Sequence, residues 1–286
     1  MAQAAAPLEF RRLEPFGCEV RLDSLDQAGA HADELRRHYR QDGLLVVRGL
    51  QLNHPEQIAF CRLFGPVHES PSENFIVSNV EADGLLGKRE LLWHNDVPYL
   101  PEPYLAGCLH ALTVEGDPVG TRFASGYRAL ERLPDDLRRR IEGMKAIHVR
   151  ERVLDRPTRL TDLVEGDMCT VHDMVRTDPE GRKYLFVNEA WTAMIIGLSQ
   201  EDSDVLHAEL SRHFYAPGEC FEHKWTEGDL VLWDNIALQH ARGAAGNGVC
   251  TLQRVTIAEL GYEAQYPHDL RAIYEGLHND VMLASN

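Results

Sequence analysis

Short apolar runs alternate with polar turns along most of the chain. The clearest run, at 43–50, places leucines and valines between two glycines, and it predicts a buried strand. The segment 174–187 contains two β-rich runs around Asp178-Pro179-Glu180-Gly181 and predicts a hairpin. Comparable runs predict further strands at 18–22, 75–77, 104–112, 220–225, 230–233 and 251–260. The stretch 91–99 predicts a short strand that ends at a Pro-containing loop.

Helical patterns are fewer, and most of them begin at recognisable capping residues. Asn53 precedes Pro55 and Glu56, which predicts a helix over 54–64. Ser199 precedes an acidic first turn and predicts a helix over 200–213. A further helical stretch is predicted at 30–42. Two more helical pieces are predicted after 121–123, the second opening at 134–136.

Many short strands with helices on the outside predict a mainly β fold, a jelly roll or a related double-sheet barrel. No composition change divides the 286 residues, so we expect one domain over 1–286, with a core at about 43–260. Residues 150–172 have no clear period and are equally compatible with an active-site flap and with a linker. The tail at 261–286 is polar and receives no predicted role.

The composition narrows the classes of partner. A net charge of −16 argues against nucleic acid and anionic membranes, since both select basic surfaces. The sequence shows neither an apolar segment of membrane-spanning length nor an N-terminal signal peptide. Its six cysteines are scattered without a Cys-x-x-Cys pair, which favours reduced thiols and a cytoplasmic location. The sequence leaves the oligomeric state open, a homo-oligomer included.

One histidine and one aspartate in the predicted strand at 91–99 suggest a metal site. On a strand, His94 and Asp96 project from the same face, which would supply two of the three ligands of a 2-His-1-carboxylate iron site. A His-x-Asp/Glu pair is a weak signal, because the chain contains five of them. The other four fall on predicted helices or in the tail, where solvated surface charge is the simpler interpretation.

Two later residues could complete such a site. The segment 228–240 combines a turn, a buried strand and an Asp-Asn corner, and it brings His240 near the end of a β element. Arg254 lies in a strongly apolar strand, where a guanidinium needs an anionic partner. That partner could be a bound carboxylate or, less specifically, an acidic side chain of the protein itself.

The order of these motifs resembles the taurine dioxygenase (TauD/TfdA) family of Fe(II)/2-oxoglutarate-dependent oxygenases, from about residue 43 to 257. The resemblance implies a double-stranded β-helix, Fe(II) held by His94, Asp96 and His240, and 2-oxoglutarate and O2 as cosubstrates. It also implies that Thr121 and Arg254 bind 2-oxoglutarate. The motifs that carry it are Trp93-His94-Asn95-Asp96, Gly120-Thr121, Phe186-Val187-Asn188-Glu189, Trp233-Asp234-Asn235 with His240, and Arg254.

The chain departs from the family pattern at several positions. Relatives often carry two arginines four residues apart on the closing strand, whereas this chain has Cys250 and then Arg254. Either Arg254 takes the cosubstrate role, which we favour, or Arg242 contributes as a secondary anion contact. Ser70 and Glu90 stand where taurine dioxygenase places a histidine and an asparagine against the sulfonate, so taurine is not the expected substrate.

The resemblance implies oxidation of an unactivated C–H bond of a small molecule, by hydroxylation or desaturation, with release of succinate and CO2. Candidate substrate contacts are His68, Val97, Tyr99 and Trp191, although core packing explains the two aromatic residues equally well. Two alternatives remain: a jelly-roll binding protein with a structural metal, and a zinc metallohydrolase. Thr121 and Arg254 favour the oxygenase, because neither alternative needs a carboxylate clamp.

Overall fold

The computed structural model describes residues 7–70, 74–80, 85–86, 90–151, 158–164, 166–243 and 247–265. The strands are β1 Phe10–Arg12, β2 Cys18–Arg21, β3 Leu44–Arg48, β4 Ile76–Ser78, β5 Leu85–Leu86, β6 Leu91–His94, β7 Ala106–Glu115, β8 Thr121–Ser125, β9 Lys145–Val149, β10 Cys169–Asp173, β11 Val175–Thr177, β12 Lys183–Leu185, β13 Thr192–Ile195, β14 Cys220–His223, β15 Leu230–Asp234, β16 Leu238–Arg242 and β17 Val249–Ile257. The helices are α1 Leu25–Ala30, α2 Ala32–Asp42, α3 His54–Cys61, α4 Gly126–Arg132, α5 Asp135–Ile141, α6 Gln200–Phe214 and α7 Tyr262–Gln265.

Contacts divide the chain into two compact units. The first comprises Met1–Leu91, Tyr104–Phe123 and Phe221–Gly261, and the second comprises Leu92–Pro103, Ala124–Cys220 and Tyr262–Asn286. The expectation of a single domain stays a prediction. The first unit contains an eight-stranded sheet in the order β1-β2-β3-β15-β7-β17-β4-β5.

Strand β3, in the interior of the eight-stranded sheet, is buried on both faces, which explains its continuously apolar sequence. Leu45 and Val47 pack in a core cluster with residues of α1 and α3, such as Ala28 and Phe60. On the other face, Leu44 and Val46 pack in a second cluster that includes Phe123 of β8 and Leu238 of β16. Alternate side chains of one strand thus enter two cores, as expected for a buried strand. The predicted strand at 43–50 is confirmed.

A capping box fixes the start of α3. The Asn53 side chain accepts a hydrogen bond from the Glu56 backbone N–H (3.0 Å), and the Glu56 carboxylate accepts one from the Asn53 N–H (2.9 Å). These bonds satisfy two of the backbone donors that every helix leaves unpaired at its N-terminus.

We therefore expect Asn53→Ala to lower the free energy of unfolding by about 1 kcal/mol, because one capping acceptor is lost. Urea denaturation of the two proteins measures the difference. The Asn53→Ser variant retains a capping oxygen and should stay close to the unsubstituted protein. A loss as large in Asn53→Ser as in Asn53→Ala would contradict the capping explanation.

The second unit contains the three-stranded sheet β10-β9-β13 and the predicted hairpin, in which β11 and β12 pair antiparallel. Helix α6 begins at the predicted cap, where Ser199 accepts from the Asp202 N–H. The sequence gave no prediction for β9, and β10 lies within the uninterpreted segment 150–172. Residues 152–157 and 165 of that segment lie outside the described residues. So do the tail beyond residue 265 and the His278/Asp280 pair.

A four-stranded sheet in the order β14-β8-β16-β6 completes the strand arrangement. Its strand β16 was not separately predicted, although its neighbour β15 was. Within the first unit, Phe123 of β8 and Leu238 of β16 face the eight-stranded sheet across the second core cluster, which gives two packed sheet layers. In the described part of the chain, none of the helices has the length and apolar character needed to cross a bilayer.

Candidate metal centre

The structure brings the three predicted metal ligands together. One potential ligand atom from each of His94, Asp96 and His240 lies within 4.8 Å of the others. Among the described residues, this is the one group of three or more histidine, cysteine, aspartate or glutamate side chains with such geometry. Both histidines are buried and the aspartate is half-buried. Two imidazoles and one carboxylate are the donor set of a facial triad, and such a set leaves coordination positions open.

The prediction that His94 and Asp96 project from the same face of one strand is wrong. Strand β6 ends at His94, so Asp96 lies in the following bend and the alternation of a strand does not place it. The turn is made at Val97, whose φ of 48° is unusual for a β-branched residue. In this bend, Asp96 Oδ1 lies 3.9 Å from His94 Nε2. A strained backbone beside a candidate ligand is consistent with a functional constraint.

A hydrogen bond fixes the tautomer of His94. Its Nδ1 lies 2.6 Å from the carbonyl oxygen of Leu92. Because a carbonyl can only accept, Nδ1 donates the proton of this hydrogen bond, and Nε2 is the ring nitrogen that lies toward Asp96. The same bond holds the ring orientation, which is the usual arrangement for a metal-binding histidine.

Two residues of the 186–189 motif position the backbone on either side of His94. The Glu189 carboxylate accepts a hydrogen bond from the Trp93 N–H (3.2 Å), and the Asn188 side chain accepts one from the Asn95 N–H (2.6 Å). Asn188 is fully buried, and its own backbone N–H donates to Thr192 Oγ1 (2.8 Å). The sequence marked this motif but gave it no role, since nothing local indicates a partner about 90 residues away.

His240 is the third residue of β16 and packs against two aromatic rings of the first unit. Its ring centroid lies 4.9 Å from that of Trp233 and 6.4 Å from that of Phe123. The predicted Asp-Asn corner lies between β15 and β16. There, Asp234 Oδ1 accepts from the N–H groups of Ile236 and Ala237, and Asn235 donates to the Tyr104 carbonyl.

Thr121 is buried at the start of β8, and its hydroxyl has a defined orientation. Trp225 Nε1 donates a hydrogen bond to Thr121 Oγ1 (3.1 Å), so the threonine hydrogen is directed to a different acceptor. The Trp225 ring packs edge-on against His223, at a centroid distance of 4.6 Å, and His223 Nε2 lies 3.1 Å from Asp229. Burial raises the pKa of Asp229, but the hydrogen bonds from His223 and Arg48 lower it by more. The net pKa is below its ordinary value, so the carboxylate stays charged.

The two candidate arginines are both half-buried in the first unit. Val255 and Ile257 of β17 pack in the core cluster that contains residues of α1 and α3. Because side chains alternate along a strand, the Arg254 side chain projects from the other face of β17. Its guanidinium carbon lies 4.9 Å from the ring centroid of Phe75. Burial lowers the pKa of Arg242, while the nearby Cys250 thiol acts in the opposite direction.

The candidate substrate contacts fall into two groups. In the second unit, Val97, Tyr99 and Trp191 share one apolar cluster, and Trp191 lies edge-on to both His94 (6.0 Å) and Tyr99 (5.6 Å). In the first unit, His68 Nε2 lies 3.2 Å from the Glu259 carbonyl oxygen, so this ring is held by the backbone. The aromatic group therefore adjoins a predicted ligand, whereas His68 has a structural contact.

Two buried histidines support the loop that follows Asp96. His172 Nε2 lies 3.1 Å from the Leu100 carbonyl oxygen, and the rings of His148 and His172 have centroids 5.6 Å apart. Burial, together with the charge of Arg176, lowers the pKa of His172 to about 4. Burial and the neighbouring His172 also lower the pKa of His148 well below its ordinary value. Both rings are therefore neutral in the folded protein at neutral pH.

This pair predicts a loss of stability in acid. Between pH 6.5 and about 4 the unfolded chain binds protons at these histidines and the folded chain does not, so the free energy of unfolding falls as the pH falls. Each histidine contributes a slope of up to about 1.4 kcal/mol per pH unit. Urea denaturation from pH 7 to 4.5 measures the slope. It should be shallower in His172→Gln, and an unchanged slope would contradict the assignment.

Comparison with known proteins places these observations in a family. Residues 9–256 match the family described as "Taurine catabolism dioxygenase TauD, TfdA family". The chain is 32% identical over 233 residues to the alpha-ketoglutarate-dependent 2,4-dichlorophenoxyacetate dioxygenase of Cupriavidus pinatubonensis, covering 72% of this chain and 81% of that protein. It is 32% identical over 244 residues to the (S)-phenoxypropionate/alpha-ketoglutarate-dioxygenase of Sphingobium herbicidovorans, covering 77% and 83%.

The fold is similar to that of solved structures. A crystal structure of AAD-2 in complex with Mn(II) and N-oxalylglycine superposes with a TM-score of 0.74 at 24% identity, covering 90% of this chain and 99% of that one. A putative alpha-ketoglutarate-dependent taurine dioxygenase from Burkholderia xenovorans gives the same TM-score over 90% of this chain and 96% of that one, also at 24% identity. The predicted jelly-roll class is confirmed.

Proposed function

The chain belongs to the TauD/TfdA family of dioxygenases, and from this premise we propose that His94, Asp96 and His240 hold Fe(II) for the oxidation of a small organic carboxylate. The protein is a 2-oxoglutarate-dependent dioxygenase acting on a small molecule, as its relatives are. The family also implies O2 as the second cosubstrate. Neither the binding protein with a structural metal nor the zinc hydrolase agrees with this membership.

The observation that carries the metal assignment is the donor set itself, since two imidazoles and one carboxylate converge within 4.8 Å. Such a set fits a divalent iron and leaves positions for a chelating ketoacid and for O2. The Leu92 carbonyl orients the His94 ring through Nδ1, while Glu189 and Asn188 fix the backbone on both sides of the ring. Preorganised ligands of this kind bind a metal with little rearrangement.

Bound Fe(II) with 2-oxoglutarate and O2 supplies the oxidising power for cleavage of the substrate C–H bond. The protein has to orient both organic molecules and keep water from the reacting centre. We assign the distal carboxylate of 2-oxoglutarate to Thr121 and Arg254. Trp225 orients the hydroxyl of Thr121 through a hydrogen bond. Arg254 is two residues from Leu252 on β17, so both side chains project into the core between the two sheets of the first unit. A hydroxyl donor and a guanidinium fork are complementary to one carboxylate.

We assign the substrate to the class of aromatic or otherwise apolar carboxylates. The relatives in the comparison act on 2,4-dichlorophenoxyacetate and on (S)-phenoxypropionate, which both combine an aryl ring with a short acid. Trp191 and Tyr99 offer aromatic surface beside His94. Edge and face contacts between aromatic rings stabilise such a complex beyond the buried area alone.

An anaerobic titration tests this proposal. Addition of Fe(II) and then 2-oxoglutarate should produce a visible iron-to-ketoacid charge-transfer band, and aryloxyalkanoic acids should then stimulate succinate release in air. The His94→Ala variant should give neither response. Succinate release by that variant at the unsubstituted rate would remove the iron assignment, and a Zn(II)-supported hydrolytic activity without the band would favour the hydrolase.

A further inference from the structure

Two contacts define how β8 and β16 lie side by side in the first unit. The rings of Phe123 and His240 have centroids 6.4 Å apart. Further along, a Cβ on Gly243 would lie 3.7 Å from Cγ1 of Val119. From the first contact to the second, residue numbers increase on β16 and decrease on β8. These neighbouring strands are therefore antiparallel. Val119 and Gly243 lie just outside the two strands, so the register within them is taken from Phe123 and His240 as cross-strand neighbours. Counted from that pair along antiparallel strands, Arg242 of β16 comes beside Thr121 of β8.

The side chains of this pair share one face of the sheet. His240 and Arg242 are two residues apart on β16, as are Thr121 and Phe123 on β8, so alternation directs all four to the same side. Phe123 packs in the core cluster between the two sheets of the first unit, which identifies that side. Arg242 consequently enters the same layer as the candidate metal ligand and the candidate cosubstrate threonine.

Cys250 borders this layer from the opposing sheet. It packs against the same core cluster as Phe123, and its thiol interacts electrostatically with Arg242. The guanidinium near Cys250 therefore belongs to Arg242 of β16, and not to a residue of β17. Because Arg242 is half-buried, its attraction for an anion is stronger than that of a surface arginine.

We propose that Arg242 binds the distal carboxylate of 2-oxoglutarate beside Thr121, as a second guanidinium that compensates for the uncharged Cys250. This inference rests on the proposed function, since it takes 2-oxoglutarate as the ligand. Thr121 donates one hydrogen bond, and the two arginines, one from each sheet, donate from two directions. One carboxylate offers about four acceptor sites and can accept from all three groups.

Ligand binding to the Mn(II)-loaded protein tests the inference without turnover. Isothermal titration calorimetry should show that Arg242→Gln weakens 2-oxoglutarate and N-oxalylglycine about 10-fold to 100-fold, the usual effect of losing a charged hydrogen bond. The affinity for 2-oxopentanoate, which has a methyl group in place of the distal carboxylate, should not change. Equal weakening of both ketoacids, or of neither, would overturn the assignment of Arg242 to that carboxylate.

Matched variants separate binding from folding. Arg122 is adjacent to Thr121 but projects from the other face of β8, so Arg122→Gln should retain the affinity of the unsubstituted protein for 2-oxoglutarate. In Arg242→Lys the charge is kept and the fork is lost, so an intermediate affinity is expected. Restoring an arginine from the opposing strand, with Cys250→Arg added to Arg242→Gln, should recover part of the loss.

The binding experiment distinguishes an error in the proposed function from an error in the role of Arg242. If the unsubstituted Mn(II) protein does not bind 2-oxoglutarate at all, the proposed function is wrong. If it binds 2-oxoglutarate and folded Arg242→Gln and Arg242→Lys bind it equally well, only the role of Arg242 is wrong. Circular dichroism and thermal unfolding establish that each variant is folded, and Arg242→Lys replaces Arg242→Gln in the comparison if the glutamine variant is not.

Discussion

Alanine substitution of His94, Asp96 or His240 is expected to lower metal affinity and succinate formation by at least about 100-fold. Loss of a supporting hydrogen bond alone costs about 10-fold to 100-fold in metal affinity, and loss of a ligand should cost more. Each variant leaves two donors in a group whose ligand atoms lie within 4.8 Å of one another. Equilibrium dialysis against Mn(II), followed by measurement of bound metal, gives the affinity independently of activity.

The chain provides a matched control for this experiment. His54 also belongs to a His-x-Glu pair, but it is the first residue of α3 and is absent from the convergent group. His54→Ala should bind metal as the unsubstituted protein does. Asp96→Asn should lose affinity although its shape is preserved, because the anionic donor is gone. Retention of one equivalent of tightly bound metal by all three alanine variants would exclude these residues as ligands.

Substitution of Gly107 by alanine is expected to have the largest effect on stability. Gly107 on β7 pairs with Trp233 on β15, and a Cβ at this position would overlap ring atom Cζ2 of Trp233 and lie 2.5 and 2.7 Å from two others. Trp233 is only 1% exposed, so its ring has little room to move. Overpacking of this kind costs roughly 1–3 kcal/mol or more.

The same substitution should also affect the metal centre. The Trp233 ring lies 4.9 Å from the His240 ring, so a displaced tryptophan displaces the histidine or leaves a gap beside it. Urea denaturation should show the loss of stability, and Mn(II) affinity should fall in protein that remains folded. Gly29→Ala is the control: no atom lies within 4 Å of its added Cβ, and alanine favours a helix over glycine by about 1 kcal/mol. Equal stability of the two variants would contradict the packing argument.

Local sequence patterns determined many of the elements. The apolar run at 43–50 predicted β3 because its side chains enter two cores, and Asn53 with Glu56 predicted the start of α3 because capping is a short-range interaction. The set of His94, Asp96 and His240 also followed from the sequence, through the order of motifs in the family. The family and the jelly-roll class are confirmed, whereas the metal-binding role stays a prediction.

Other features depended on tertiary structure. Alternation along a strand was the wrong reason for pairing His94 with Asp96, because β6 ends at His94 and Asp96 lies in the bend that follows, with its Oδ1 3.9 Å from His94 Nε2. Strand β9 was missed because its partners, β10 and β13, lie in segments with weak or no strand patterns of their own.

The sequence by itself determined the buried strand β3, where most strands and helices begin, and which side chains could bind a metal. Only the tertiary structure decided that Asn188 and Glu189 hold the backbone around His94. The physical reason is that periodicity and capping report interactions within one turn or strand. Contacts across about 90 residues form only when distant segments pack together, so they depend on the fold of the whole chain.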